Sequence, residues 1–564
     1  MTSEITPEPV PENKPDASAD APAGAPAETP QQAVLQETLQ TVQAVQPEAL
    51  PGALPEALPE AIPPAPPRTR WQRFLHWELF GLFIIVLVTL IFHFAQIERP
   101  ATIVWDEVWY VGDARSIISG TGELRPEHPP LAKLFIVAGD YLFSGFKTPE
   151  HRSGAMNTAT VNSSSSSTTF AVTDASKFTI GMALRMDNEQ MTVTGVDLAG
   201  NNITVDRGSG GTSPAIHAEL ETIYIFTDTA FDWRFFSIIA GTFGIIIFYY
   251  ICRKLGFSGT AATIATFLFA LDDMVFVHSG LALLDVYMVT FMLAAVLFYL
   301  DEKYIIAGIF IALAANCKLV GVLILIALCL HWVIYRRDKW KNFAASLAVT
   351  AVSFVFFLEY FDLFISRNIE NPVTRIKGLL SGTAANVFTD PKLSISSRPW
   401  TWLYPQWFRA YYMGPNVPII AYSFVPQQYL SFISPTIQIL ILPIIGYMIY
   451  KTVKKSKVAG FVLLWFLATY VVWIPLDIFT NRVTFVFYFL STTPAICIGL
   501  GVAISDWLKY LKNRRLELGR LSTGVALSYS AIGLYLFLHL AIFIIFNPAI
   551  PPLVKMWLPP FHIP

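Results

Sequence analysis

The sequence predicts a polytopic α-helical membrane protein, and three observations support this prediction. Hydrophobic residues make up 54% of the 564 residues and charged residues only 14%, whereas a typical soluble domain has roughly 25% charged residues. Eleven apolar segments recur along the chain, most of them near the roughly 20 residues that cross a bilayer. Lys and Arg cluster in alternate connecting loops. These features exclude a soluble globular enzyme, a disordered protein and a coiled coil.

The N-terminal region has a different composition from the rest of the chain. Residues 1–66 are dominated by Pro, Ala, Glu and Gln, and such a segment cannot bury enough apolar surface to become ordered. No apolar run follows a basic start, so this is not a signal peptide. We predict that 1–70 is a disordered cytoplasmic tail, ending in the basic stretch "RTRWQR".

The apolar segments define the expected membrane topology. We place the spans at 79–98, 233–251, 260–278, 284–300, 303–317, 319–335, 342–362, 433–450, 459–477, 484–505 and 522–546. With eleven crossings, five basic loops fall on one side, which the positive-inside rule makes cytoplasmic; they are "RTRWQR", Arg253–Lys254, "RRDKWK", "KTVKKSK" and "KYLKNRR". We therefore expect a multi-pass protein of the cell membrane with a cytoplasmic N-terminus.

This topology leaves two long segments on the extracytoplasmic side. The first, about 99–232, follows the first span, and the second covers 363–432. The C-terminal stub 547–564 is also expected outside. We divide the membrane part into 71–156, with the first span and a catalytic external loop, and 223–564, with the remaining spans and the second external loop.

The first external loop carries an insert whose sequence predicts β structure. After the Ser-rich linker 162–167, apolar and polar residues alternate in "MTVTGV" and "NITVDR", the pattern of half-buried strands. Turn signals occur at Asp187–Asn188 and Gly200–Asn201. We predict a small β domain at 157–222. It is either a binding or spacing module over the active site or a tolerated loop insertion.

Metal and nucleic-acid chemistry are not expected. The formal net charge is only −2, so no overall field favours nucleic acid. The four cysteines lie in or beside apolar runs, without metal-ligand spacing.

Two adjacent acids stand at the predicted membrane surface just after the first span. Asp106 and Glu107 follow the apolar residues Ile103, Val104 and Trp105. Apolar surroundings remove hydration and raise a carboxyl pKa, which suits a carboxylate that accepts a proton from a hydroxyl. The alternative is a solvated helix start whose acids interact with the helix dipole.

The motif "HPPLAKL" begins a short apolar helix after this loop. At about 13 residues, the run "LAKLFIVAGDYLF" is too short to span, so we expect it in the membrane interface. His128 and Lys133 would then lie near lipid headgroups. Lys133 would either make an ordinary headgroup contact or hold a lipid phosphate.

Further ionisable residues lie within or at the ends of spans, where they are costly and are functional candidates. They are Asp272, Asp273, His278, Asp285, Lys318 and Arg482. Lys318 and Arg482 fall on the predicted outer side, so the positive-inside rule does not account for them. Snorkelling to the interface is their alternative role.

The second external loop has an aromatic stretch at 396–418, "SSRPWTWLYPQWFRAYYMGPNVP", that includes Arg398 and Trp400. Aromatic faces stack on sugars, and Arg pairs with phosphate. An interfacial aromatic belt is the alternative.

The ordered set of motifs resembles the protein O-mannosyltransferases and their bacterial relatives, phospholipid carrier-dependent glycosyltransferases of the GT-C fold (glycosyltransferase family 39-like). The matching motifs are "WDEVWYVGDARSI", "HPPLAKL", "LDDMVFVHSGLALLD", "NCKLVG", "SSRPWTWLYPQ" and "NRVTFVFYFLSTTPA". Two departures are Gly280, where the family often has Arg, and the absence of the β-trefoil that eukaryotic members carry in the second large loop.

The resemblance implies a fold and an activity. It implies a GT-C glycosyltransferase that moves a sugar, expected to be mannose, from a polyprenyl-phosphate carrier to Ser or Thr hydroxyls of secreted proteins. Asp106 would be the catalytic base and Glu107 would bind or orient a substrate. His128, Asp285, Lys318 and Arg482 would contribute to the site.

The expected reaction is a single inverting displacement on the outer face of the membrane. The lipid-linked sugar is the donor, no metal or other cofactor is required, and no nucleic acid takes part. Membrane lipid is the surrounding partner. A lipid or cell-wall glycan acceptor is the nearest alternative. A transporter is an alternative of a different class, although charged groups gathered on one face argue against it.

Overall fold

The computed structural model describes residues 77–99, 101–104, 106–164, 168–367, 370–384, 396–404, 431–518 and 522–546. All of them belong to one compact unit, Arg68–Pro564. The predicted tail 1–70, the stub 547–564 and most of the second external loop lie outside the described residues. So do Trp105 and positions 165–167 of the Ser-rich linker.

The described part of the chain is mainly helical. Its helices are α1 (Trp77–Gln96), α2 (Glu107–Ile118), α3 (Leu131–Phe143), α4 (Ala230–Lys254), α5 (Gly259–Ala270), α6 (Asp273–Gly280), α7 (Leu284–Leu300), α8 (Tyr304–Cys317), α9 (Leu323–Tyr335), α10 (Trp340–Ser366), α11 (Pro372–Ala384), α12 (Pro435–Gln438), α13 (Ile441–Val453), α14 (Lys457–Phe466), α15 (Trp473–Thr480), α16 (Thr493–Leu518) and α17 (Thr523–Phe546).

Within the described residues, six helical segments are long and apolar enough to cross a membrane. A seventh forms if α5 and α6, which are bent by 64° relative to each other, count as one span. The predicted count of eleven is therefore not confirmed. Four further apolar helices are shorter, at Leu284–Leu300, Tyr304–Cys317, Leu319–Tyr335 and Ile441–Val453.

Local sequence explains two differences from the predicted spans. Asp272 caps α6 by accepting a hydrogen bond from the Val275 N–H at 3.2 Å, so the predicted span 260–278 is broken there. The predicted span 484–505 begins late, because Val486–Ser491 forms a 3₁₀ turn. Helix α16 starts only at Thr493, followed by Pro494, whose fixed φ suits a first helical turn.

One continuous apolar core joins the helices. Helix α7 packs between α4 and α8, and α8 packs on α10. Helix α3 packs on α2 and α4. The two short helices that follow α1 are thereby built into one end of the bundle.

The insert forms a six-stranded antiparallel sheet, here called the β module. Its strands are β1 (Glu150–Met156), β2 (Thr169–Ala171), β3 (Ala183–Met186), β4 (Glu189–Asp197), β5 (Asn202–Ser209) and β6 (Thr222–Phe226). Their spatial order is β1-β6-β3-β4-β5-β2. Asp187 and Asn201 adopt left-handed turns with φ of 48° and 49°, at the predicted turn signals.

The β module has its own small core, which includes Phe170, Leu184, Val193 and Ile203. The sheet extends beyond the predicted range 157–222, since β1 starts at Glu150 and β6 ends at Phe226. The sequence of β1, "EHRSGAM", is largely polar and mostly exposed, so it lacks the apolar alternation that indicated "MTVTGV" and "NITVDR" as strands.

Candidate active site

The candidate site is built on the first turn of α2. The backbone carbonyl of Asp106 accepts hydrogen bonds from the N–H groups of Trp109 and Tyr110, at 3.0 and 3.3 Å. Asp106 is thus the residue that begins the helix, and Glu107 is the first residue inside it. Their side chains leave the helix in different directions and meet different surroundings.

Glu107 is fully buried and fully partnered. Its carboxylate accepts two hydrogen bonds from the Arg234 guanidinium, at 2.8 and 2.7 Å. It also accepts backbone N–H groups from Ala282 at 2.8 Å and Val104 at 3.0 Å. These four hydrogen bonds join α2, α4 and the segment before α7. The Glu107 carboxylate thus ties these segments together through protein groups, whereas the sequence suggested a contact with a substrate.

Asp106 has the opposite surroundings. Its side chain is partly buried, and it accepts no hydrogen bond from any residue that the structure describes. Loss of hydration raises the pKa of Asp106 to about 7; the charge of Lys318 opposes this shift and that of Asp285 adds to it. Near neutral pH this carboxylate can therefore accept a proton from a bound hydroxyl.

An ion pair between Asp285 and Lys318 lies within electrostatic range of Asp106. The Lys318 Nζ contacts both carboxylate oxygens, at 2.9 and 2.8 Å. The same ammonium lies 4.9 Å from the ring centre of Phe487 and 5.6 Å from that of Tyr488. The pair keeps Lys318 charged and fixed beside the site.

His128 and Arg482 complete the group. The His128 ring lies 5.8 Å from Tyr110. Burial lowers the pKa of His128 well below its usual value, and the charges of Lys318, Lys133, Arg125 and Arg482 lower it further. His128 is therefore neutral at pH 7. It can donate or accept one hydrogen bond without adding charge.

The guanidinium of Arg482 has at least one donor that is not used by the described residues. Its Nε is buried and finds no hydrogen-bond acceptor among the described residues. Arg125 provides a second cation nearby, 3.5 Å from Glu127 and 3.8 Å over the ring of Trp109. A negatively charged ligand beside Asp106 would face positive charge from several directions.

Lys133 does not lie at a lipid surface, contrary to the interfacial prediction. It is fully buried and contacts Asp113 at 2.7 Å, the Arg125 carbonyl at 2.5 Å and Glu123. The reason is that α3 packs against α2 and α4. We call the set that Lys133 joins the paired cluster: Asp113, Glu123, Lys133, Asp362 and Arg375.

Arg398 anchors its own loop. It donates hydrogen bonds to Asp477 at 2.8 Å and Asn481 at 3.0 Å, next to Arg482. Trp400 remains 41% exposed and can still meet a ligand. The rest of the aromatic stretch, 405–418, lies outside the described residues.

The structure thus brings together Asp106, His128, Asp285, Lys318 and Arg482. It uses Glu107, Lys133 and Arg398 to hold segments in place. Sequence reasoning missed Arg234, although an arginine next to the start of the predicted span 233–251 was a signal, because a charge at such a depth needs a partner. No group of three or more His, Cys, Asp or Glu among the described residues could hold a metal ion.

Known proteins resemble this chain in sequence and in fold. The family model for dolichyl-phosphate-mannose-protein mannosyltransferases matches residues 211–366. The protein O-mannosyltransferase Pmt1-Pmt2 complex of S. cerevisiae, bound to the sugar donor, aligns with a TM-score of 0.56 at 12% identity, covering 84% of this chain and 90% of that chain. This chain is a membrane glycosyltransferase of the GT-C fold.

Two other solved structures align less closely with this glycosyltransferase. ArnT from Cupriavidus metallidurans bound to undecaprenyl phosphate gives a TM-score of 0.46 at 14% identity, and the alignment covers 84% of this chain and 76% of that chain. The oligosaccharyltransferase of Archaeoglobus fulgidus gives a TM-score of 0.43 at 14% identity, and the alignment covers 86% of this chain and 56% of that chain. No curated protein sequence matches the chain.

The comparisons confirm the predicted fold class, family resemblance and enzyme class. The transporter alternative is therefore set aside. The range that matches the family model contains Arg234, Asp285 and Lys318, whereas Asp106 and His128 precede it.

Proposed function

We propose that this glycosyltransferase moves mannose from a polyprenyl-phosphate carrier to Ser or Thr hydroxyls of proteins on the extracytoplasmic face of the cell membrane. The observation that carries the proposal is the Asp106 carboxylate, which accepts no hydrogen bond from the described residues and lies in the field of the cations Lys318 and Arg125. A base without a protein partner, in reach of a positive region, suits a hydroxyl nucleophile and a phosphate leaving group.

The reaction is a single displacement at the sugar C1. The acceptor hydroxyl gives its proton to the Asp106 carboxylate, and its oxygen forms the new bond to C1. The bond between C1 and the phosphate oxygen breaks, and the polyprenyl phosphate leaves with the electron pair. Attack opposite the leaving group inverts the anomeric centre. Asp106 then returns its proton to water.

The cations act on the leaving phosphate. Negative charge grows on that phosphate as the C1–O bond breaks, and fixed cations stabilise it most in the transition state. Arg482 is the main candidate, since its buried Nε has no acceptor in the described structure. Lys318 contributes charge at longer range, because its ammonium is already bound to Asp285.

A lipid-linked donor fits the membrane setting. The matching family is named for dolichyl-phosphate-mannose, and the aligned S. cerevisiae complex is bound to a sugar donor. Both findings support a polyprenyl-phosphate sugar here. A carrier dissolved in the bilayer also supplies the sugar to a face of the membrane that lacks nucleotide sugars.

Charge along α4 supports the placement of the site outside the cytoplasm. The helix begins near Arg234, which binds Glu107, and ends with Arg253 and Lys254. The basic end therefore lies a whole helix length away from Asp106. By the positive-inside rule the basic end is expected to be cytoplasmic, and this supports the proposal that Asp106 and the β module face outside.

Transfer by the purified protein tests the proposal. Polyprenyl-phosphate-mannose and a Ser/Thr-rich peptide should yield a peptide heavier by one hexose in mass spectrometry. The matched control is the same peptide with every Ser and Thr replaced by Ala, which should stay unmodified. Transfer only to a lipid or glycan acceptor, or only from a different sugar donor, would contradict the assigned substrates.

A further inference from the structure

The β module is docked on the helix that carries Asp106. The Gln190 amide, at the start of β4, donates hydrogen bonds to the Gly112 carbonyl at 2.8 Å and the Ser116 hydroxyl at 3.1 Å. Gln190 is only 1% exposed. Ser119, the residue that caps the C-terminal end of α2, donates a hydrogen bond to Glu150 of β1 at 3.1 Å.

Glycines allow the two backbones to touch. A Cβ added to Gly112 would overlap the carbonyl oxygen of Gly210, and a Cβ on Gly210 would lie 3.1 Å from the Gly112 Cα. The next residue, Gly211, lies against the Trp109 ring, since its Cβ would be 2.7 Å from the ring edge. This close contact fixes the distance between the module and the helix.

Helix α2 is thereby held on two faces. Trp109, Gly112, Ser116 and Ser119 are spaced three or four residues apart, so they form one stripe along the helix, and this stripe contacts the module. On another side, Asp113 binds Lys133 of α3, as Glu107 binds Arg234 of α4. The helix that begins at Asp106 is clamped between the membrane helices and the module.

The contact surface of the module is itself rigid. Glu189, the residue before Gln190, is paired with Arg207 at 2.7 Å and with His217 at 2.8 Å. It also accepts the N–H groups of Gly208 and Ala215, at 2.9 and 2.7 Å. This fully partnered carboxylate ties β4 to the loop that contains Gly210.

We propose that the β module positions the active site, with Gln190 and the Gly112–Gly210 contact holding α2 so that Asp106 is aimed at the acceptor hydroxyl. The proposal rests on the proposed function of Asp106 as the base. Sub-ångström placement matters in such a site, because a displacement of 1 Å can cost about 100-fold in rate. The module is therefore more than a tolerated insertion.

Two substitutions test this role. Gln190→Ala removes two hydrogen bonds and leaves space. Gly112→Ala adds a methyl group at the contact, although alanine is the better helix former. Leu198→Ala is the control, because Leu198 is 65% exposed on the same module.

The readouts are kcat, the donor KM and the pH–rate profile of the folded, monodisperse fraction. In both test variants kcat should fall by about 10- to 100-fold while the donor KM stays within about twofold. The acid limb should move to lower pH, because a displaced Asp106 regains hydration. Leu198→Ala should match the wild type.

A kcat within about twofold of wild type in both test variants would overturn the proposal. So would a loss of rate that follows only the loss of folded protein, with the acid limb unmoved. Failure of the wild-type protein to transfer mannose would instead contradict the proposed function itself, so the two failures can be told apart.

Discussion

Two groups of charged residues lie close together at one end of the helix bundle, and they are organised in opposite ways. In the paired cluster every member has an oppositely charged partner, as in the Lys133–Asp113 pair and the Arg375–Asp362 pair at 2.7 Å. In the candidate site Asp106 and the Nε of Arg482 have no hydrogen-bond partner among the described residues.

The difference in pairing distinguishes charged residues that hold the fold together from charged residues that can bind a substrate. A buried charge with a well-oriented partner holds segments together, and its loss leaves an uncompensated charge. A charge left without a protein partner lowers stability and is retained where a substrate supplies the partner. The same contrast holds within one helical turn, since Glu107 is saturated whereas Asp106 has no hydrogen-bond partner in the described part of the chain.

The largest effect should come from Asp106→Asn. The amide keeps the size of the side chain but cannot accept the hydroxyl proton, so kcat should fall by about 10²–10⁴-fold. Donor binding should change little, because the cations remain. Turnover and donor affinity of the purified variant check this, and a variant that binds donor and still transfers at a near-normal rate would show that Asp106 is not the base.

The matched substitution at the adjacent residue, Glu107→Gln, should give a different kind of defect. Glu107→Gln removes the charge that balances Arg234, and breaking such a buried pair costs about 3–5 kcal/mol. Thermal unfolding should show this loss, while the folded fraction keeps measurable turnover. A fully stable Glu107→Gln protein with no activity would instead make Glu107 the catalytic carboxylate.

A smaller effect is expected from Arg482→Gln. Hydrogen bonds to a charged group contribute about 1.5–3 kcal/mol, so kcat/KM for the donor should fall by about 10- to 100-fold, through a lower kcat as well as a higher donor KM. Arg398→Gln is the control, because Arg398 is bound to Asp477 and Asn481 and should affect kcat/KM for the donor less. Equal effects of the two substitutions would remove the special role of Arg482.

The smallest effect on turnover is expected in the paired cluster. Lys133→Met leaves Asp113 and Glu123 without their shared cation, so stability should fall by about 3–5 kcal/mol. The kcat of the folded fraction should stay within about threefold of wild type. A normal melting temperature with a raised donor KM would restore the lipid-phosphate role that the sequence suggested for Lys133.

The sequence predicted features that depend on local pattern. Apolar runs indicated the membrane helices, and alternation with turn signals at Asp187 and Asn201 indicated the β module. Motif resemblance pointed to Asp106, His128, Asp285, Lys318 and Arg482 as a set, because those motifs occur in a fixed order.

Ion pairs and hydrogen bonds between residues far apart in the chain could not be predicted from the sequence. Glu107 and Arg234 are 127 positions apart, and no local pattern reveals that one saturates the other. Lys133 looked interfacial because its helix is short and apolar, yet tertiary packing buries it. The predicted span 260–278 contains a bend of 64° between α5 and α6, which apolar length alone does not reveal.

The most direct test of the central claim is the pH dependence of kcat/KM for the wild type and Asp106→Asn. The base acts only when ionised, and desolvation raises the pKa of Asp106 to about 7. Wild-type activity should therefore fall about tenfold for each pH unit below 7 and level off above it, and the residual activity of Asp106→Asn should lack that limb. A wild-type profile that is flat from about pH 5 to 8, or the same acid limb in both proteins, would contradict the assignment of Asp106 as the base.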